Sequence, residues 1–100
     1  MDDIMASNFR ISTHQNSDNL HLKLAGDFDG TSACELLNIL KKDCGKASKV
    51  FVHCSCLNKI DSFGRGVFHK NIHSILAAPI SLLFTGEKAN QIAPEEKQCL

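Results

Sequence analysis

One hundred residues with 43% hydrophobic content have room for a single core, so the chain reads as one small domain. Eleven Lys and Arg balance eleven Asp and Glu, which leaves no overall electrostatic footprint for nucleic acid or an anionic membrane. The start, Met1-Asp2-Asp3-Ile4-Met5, is acidic and has no apolar leader core, and no later apolar run is long enough to cross a bilayer. A cytoplasmic protein without membrane insertion is expected. Five cysteines are an odd count, and Cys34, Cys44, Cys54 and Cys99 sit in otherwise regular apolar patterns, so buried reduced thiols are expected rather than a disulfide scaffold.

Residues 1–8 read as a polar tail. Phe9 to Thr13 alternates with period two, and Leu20-His21-Leu22-Lys23-Leu24 does so again after a turn drawn from His14 to Asn19. An antiparallel hairpin with one wet face follows, because Leu20, Leu22 and Leu24 share one side and His21 and Lys23 the other. Gly26-Asp27-Phe28-Asp29-Gly30 is expected to break the second strand. Thr31 and Ser32 offer helix caps, and Glu35 three residues beyond Ser32 suggests a capping box. The helix then buries Ala33, Leu36, Leu37, Leu40 and Cys44, wets Glu35, Asn38, Lys41 and Lys42, and stops at Gly45.

Val50-Phe51-Val52 is apolar on both faces, the pattern of a central strand, with a loop expected from Cys54 to Ile60. A second helix carries Phe68, Ile72, Ile75 and Leu76 on its buried face and ends before Pro79. Ile80 to Phe84 is a last strand closed by Gly86, and 87–100 is a polar segment with a short apolar element around Ile92 and Ala93. The order β-β-α-β-α-β predicts an α/β fold with parallel central strands joined by crossover helices.

Chemistry concentrates at Asp61-Ser62-Phe63-Gly64-Arg65-Gly66. Ser62 is placed as the N-cap of the second helix, where free backbone N–H groups and the helix dipole would also stabilise a phosphate. Helical projection puts Ser62, Gly66, His69 and His73 on one solvent-facing stripe, with Arg65 at its edge. A solvated face without function has the same pattern.

His69 and His73 have the i, i+4 spacing of metal ligands, with His53, Cys54 and Cys56 one loop away. The helix lacks the Glu of a zincin motif, and Cys54-Ser55-Cys56 is too tight for a zinc knuckle, so no metal is expected. Ser62, a His and Asp61 supply the types of a hydrolytic triad, but His69 stands about 10 Å along the helix at 1.5 Å per residue, beyond direct proton transfer. No Walker lysine follows Gly64-Arg65-Gly66. No catalytic residue and no cofactor are expected, and an enzyme or metal protein built from Ser62, His69, His73 and Cys54 is the least favoured reading.

Leu24-Ala25-Gly26-Asp27-Phe28-Asp29, Val50-Phe51-Val52 and Ile60-Asp61-Ser62-Phe63-Gly64-Arg65-Gly66-Val67 together resemble the STAS domain of bacterial anti-sigma factor antagonists, over residues 9–86. The resemblance implies a mixed sheet with helices mainly on one face. It also implies a non-enzymatic switch in which a serine-kinase anti-sigma factor binds and phosphorylates the chain at Ser62, and a phosphatase resets it. Asp29, Asp61, Ser62, Phe63, Gly64, Arg65, Gly66, His69 and His73 form the implied partner-binding set. His53, Phe63 and Arg65 depart from the family pattern, which usually has an acidic, a small and an apolar residue there. The chain also stops soon after Gly86, where most members carry a further helix, and this shortened C-terminus implies a last strand exposed in part unless the tail or a second copy, in a homodimer, covers it. The alternative implied role is a phosphorylation-independent STAS interaction module of a transporter or signalling assembly.

Overall fold

The computed structural model describes residues 8–43, 47–73 and 81–93. Its elements are β1 (Arg10–Asn16), β2 (Asn19–Phe28), α1 (Gly30–Asp43), β3 (Lys49–Ile60), α2 (Ser62–Asn71), β4 (Ser81–Thr85) and a short α3 (Ala89–Ile92). The four strands form one sheet in the order β1-β2-β3-β4. β1 and β2 pair antiparallel, while β2/β3 and β3/β4 are parallel. This is the mixed α/β sheet expected from the element order. Both crossovers step in the same direction along the sheet, and crossovers of one hand then put α1 and α2 on the same face.

Leu20, Leu22 and Leu24 of β2, Val50, Val52 and Cys54 of β3, and Leu82 and Phe84 of β4 point to that face, where they meet Ala33, Leu36, Leu37 and Leu40 of α1, Phe68 of α2 and Ile72 at its C-terminal cap. Through this core runs a ladder of edge-to-face rings, Phe9 to Phe28 to Phe68 to Phe84, with centroids 6.0, 6.2 and 6.0 Å apart. α3 adds Ala89, Ile92 and the following Ala93 to the same core, so the packed body runs past Gly86, the expected domain edge. Phe9 is buried at the other end, and Asn8 Nδ2 donates to Asp27 Oδ2 at 3.1 Å.

Several expectations are corrected. The hairpin turn is two residues, Ser17 and Asp18, with Ser17 at a φ of 57°, because β1 extends through Asn16. Gly26 does not break β2. It lies inside the strand at a φ of 96°, and a side chain there would collide with the Asn8 carbonyl, so only glycine keeps the strand running to Phe28. The stretch from Cys54 to Ile60 is strand, not loop. Two register shifts each give β3 one residue more than β2, between Lys23 and Ala25 and again between Gly26 and Phe28. The inward positions therefore fall at Cys54, Leu57 and Ile60, three apart, and the period-two signal is lost.

β3 is the central strand expected of Val50-Phe51-Val52, flanked by β2 and β4, with Phe51 half-buried on the outer face. Cys34 and Cys56 are exposed, and Cys54 alone of the described thiols is buried. Cys44, Gly45, Ile75, Leu76, Pro79, Ile80 and Cys99 lie outside the described residues.

Candidate functional site

α1 and α2 both start at the same end of the sheet, just past Phe28 and Ile60. Asp61 N donates to the Phe28 carbonyl at 2.8 Å, which ties the two strand ends together. Each helix is then capped by the aspartate that precedes it. Asp29 Oδ1 accepts from Ser32 N at 2.9 Å, and Asp61 Oδ2 accepts from Gly64 N at 3.4 Å.

Two capping expectations are thereby corrected. Ser32 sits in the first turn of α1 rather than before it. Its Oγ lies 3.0 Å from both the Asp27 carbonyl and Asp29 Oδ1, bracing the cap. Ser62 is the first residue of α2 and not its cap. A carboxylate one residue earlier takes the N–H of Gly64, so the Ser62 hydroxyl is not spent on capping, and the side chain is exposed at the positive end of the helix dipole.

Gly64 brings the helix starts together. A Cβ on it would lie 2.5 Å from the carbonyl carbon of Asp29, so any larger residue would push α2 away from α1. Gly64 is itself buried and presents no surface, unlike its neighbours. Phe63 is 70% exposed and is the one large apolar side chain left in solvent among the described residues. Its ring lies over Gly30, where a Cβ would approach it to 2.8 Å. Open grooves flank it. One of about 620 Å³ is lined by Ser62, Gly66, Val67, Lys70 and Asn71, and the other by Asp29, Gly30, Thr31, Cys34, Asp61 and Val67.

The nine residues of the predicted partner set divide unequally. Asp29, Asp61, Ser62, Phe63, Arg65 and Gly66 gather at this end, with Arg65 and Gly66 exposed. His69 is not a bare member of a wet stripe. It is half-buried, and its Nε2 donates to the Ile92 carbonyl at 2.7 Å, fastening α3 to α2. His73 is exposed a turn beyond. Among the described residues no group of three or more His, Cys, Asp or Glu is placed to hold a metal ion.

Gly30 and Cys34 join the groove without having been anticipated. Cys34 follows Ala33, just off the buried stripe of α1, and that offset was the available signal. His53, expected beside a metal-ligand candidate, instead faces outward on the sheet between His21 and Thr85.

No family model matches the chain, and no curated protein matches it in sequence. Solved structures do match in shape. Mglu superposes with a TM-score of 0.70 at 18% identity over 98% of this chain, which spans only 23% of Mglu. The anti-sigma factor antagonist SpoIIAA in its unphosphorylated form gives 0.63 at 14% identity, over 92% of this chain and 86% of SpoIIAA. A protein of the DUF3478 family from Shewanella loihica PV-4, described as having a SpoIIAA-like fold, gives 0.58 at 13% identity, over 100% of this chain and 90% of its own. Element order, sheet pairing and these superpositions agree that the chain has the STAS fold of the anti-sigma factor antagonist SpoIIAA.

Proposed function

We propose that the chain is a partner-switching regulator of the anti-sigma factor antagonist kind, binding a serine-kinase anti-sigma factor through the surface around Ser62 and released when Ser62 is phosphorylated. The observation that carries this reading is the division of labour at the start of α2. Asp61 caps the helix while Ser62, one residue on, stays exposed. A phosphate on Ser62 would sit at a helix N-terminus, which favours it, with Arg65 one turn away. It would add close to two negative charges beside Asp61 and Asp29, enough to repel a partner fitted to the uncharged surface without refolding the domain.

Ser62→Ala and Ser62→Glu baits, presented side by side to lysate of the source organism, test the switch. A kinase-type partner retained by the alanine form and lost by the glutamate form is the expected result, with phosphate on Ser62 of the wild-type chain after incubation with ATP. Equal retention by both baits would leave Ser62 as an ordinary surface residue.

A second reading is favoured by Phe63. An exposed aromatic between two grooves suits a permanent docking anchor better than a surface that must release. On that reading the chain is a phosphorylation-independent STAS module, and Phe63→Ala would abolish capture of the partner by either bait.

A further inference from the structure

The face of the sheet turned away from α1 and α2 has its own chemistry. None of its outward residues is buried. Across the register from Asn16–Asn19 to Arg10–Ala25, and from Lys49–Ser81 to His53–Thr85, no outward residue is acidic. Arg10, Lys23 and Lys49 are exposed there, as is His14. Asp18 in the hairpin turn and Asp27 beyond the first register shift stand at the two ends of β2. The zero net charge of the chain, from which no nucleic-acid partner was expected, conceals this stretch of sheet without outward acids.

Between the cations lies a group of half-buried rings. His21 and Phe51 stack with centroids 4.8 Å apart and planes within 10°. His53 is parallel to His21 within 1° at 5.2 Å, and its Nε2 is 2.9 Å from His21 Nδ1. That separation is what the contact distance and two ring radii add up to, so the imidazoles meet edge to edge through a shared proton. His53 Nδ1 in turn lies 2.7 Å from Thr85 Oγ1. The hydrogen-bond chain runs over three strands and holds the ring planes in a common orientation.

We propose that this uncovered sheet face docks single-stranded nucleic acid, the parallel rings of Phe51, His21 and His53 receiving bases while Arg10, Lys23 and Lys49 hold the flanking phosphates. Cations alone would serve an acidic peptide equally well. The aligned rings at their centre favour bases, because aromatic rings on a sheet stack single-stranded bases regardless of sequence, and the faces that His21 and Phe51 do not turn towards each other are the ones left to receive them. A duplex, with its bases already stacked, cannot use them. The face is remote from Ser62 and its occupation is independent of the partner switch.

Fluorescence anisotropy of a labelled oligouridylate of roughly 12 nucleotides tests this on the full chain. With three phosphates neutralised, affinity is expected to fall roughly 20-fold between about 50 and 200 mM salt. Phe51→Ala is expected to weaken binding about tenfold, the loss of one base stack. Lys23→Gln with Lys49→Gln, both at exposed sites, should flatten the salt dependence and keeps the test decisive if Phe51→Ala fails to fold. Ser62→Glu should bind as the wild type does. No binding at low salt, equal binding of a matched duplex or of polyglutamate, or a Phe51→Ala variant that folds and binds undiminished would each overturn the proposal.

Discussion

Asp61, Ser62, Gly64 and His53 each have a part that their residue type alone leaves open. Asp61 and Ser62 are both good capping residues, adjacent in sequence, and only the backbone decides between them. Asp61 has extended geometry and its carboxylate accepts from Gly64 N, so Asp61→Ala should cost about 0.5–1 kcal/mol in urea denaturation. Ser62→Ala should change stability by less than about 0.5 kcal/mol, as exposed substitutions usually do. A larger loss from Ser62→Ala would return the cap to serine. Gly64→Ala must find room for a methyl 2.5 Å from the Asp29 carbonyl carbon, and is expected to cost about 1–3 kcal/mol. The same variant should bind the switch partner poorly, because the groove beside Phe63 opens as α2 moves.

His53 has its pKa lowered, first by burial and then by the neighbouring His21 and Lys23. The other groups around it are Phe51 and the Thr85 hydroxyl, neither of which offers a compensating negative charge. The folded state therefore prefers the neutral ring. Its contribution to stability is complete above the ordinary histidine value of 6.5 and is lost as pH falls through the lower folded value. Urea midpoints measured at about pH 7.5 and 5.5 should fall less for His53→Gln than for the wild type. An equal fall would remove His53 as the source.

Among the elements, what was legible followed from how regular each one is. α1 shows its buried stripe plainly because Ala33, Leu36, Leu37 and Leu40 all face one sheet and the opposite side is solvated. The hairpin shows its alternation for the same reason, with β2 buried on one side only. β3 is legible only as far as His53. Beyond it, β4 has ended and the two extra residues convert a period of two into a period of three, which no strand pattern anticipates. The sequence points to the start of α2 because turn residues cluster there, but the architecture of the candidate site depends on contacts between distant segments. Gly64 against Asp29 and Phe63 over Gly30 are pairings that sequence spacing cannot express. His69 shows the same limit. On a helical projection it belongs with Ser62 and Gly66, yet its bond to the Ile92 carbonyl comes from an element twenty-three residues away.

At the level of the whole molecule, α3 carries the packed body beyond Gly86. A four-residue helix has no stability of its own, so it persists because Ala89 and Ile92 are fully buried and because two polar links hold it. One is the His69 bond, and the other runs from Lys88 Nζ to the Leu57 carbonyl at 3.1 Å. Those links reach α2, which carries Ser62, and the irregular half of β3, which leads into it. α3 therefore braces the site from behind rather than trailing from the fold. Ile92→Ala should behave as a core truncation, costing about 2–5 kcal/mol, and unfolding should remain a single transition with its midpoint shifted. Hydrogen exchange should quicken at Phe68 and Ile72, whose helix the His69 bond anchors, as well as in α3 itself. If instead α3 alone exchanged faster while the global midpoint stayed fixed, the packed body would end at Gly86 and the His69 bond would be a surface contact. The expected outcome ties the rigidity of the Ser62 surface to a segment that carries none of its chemistry.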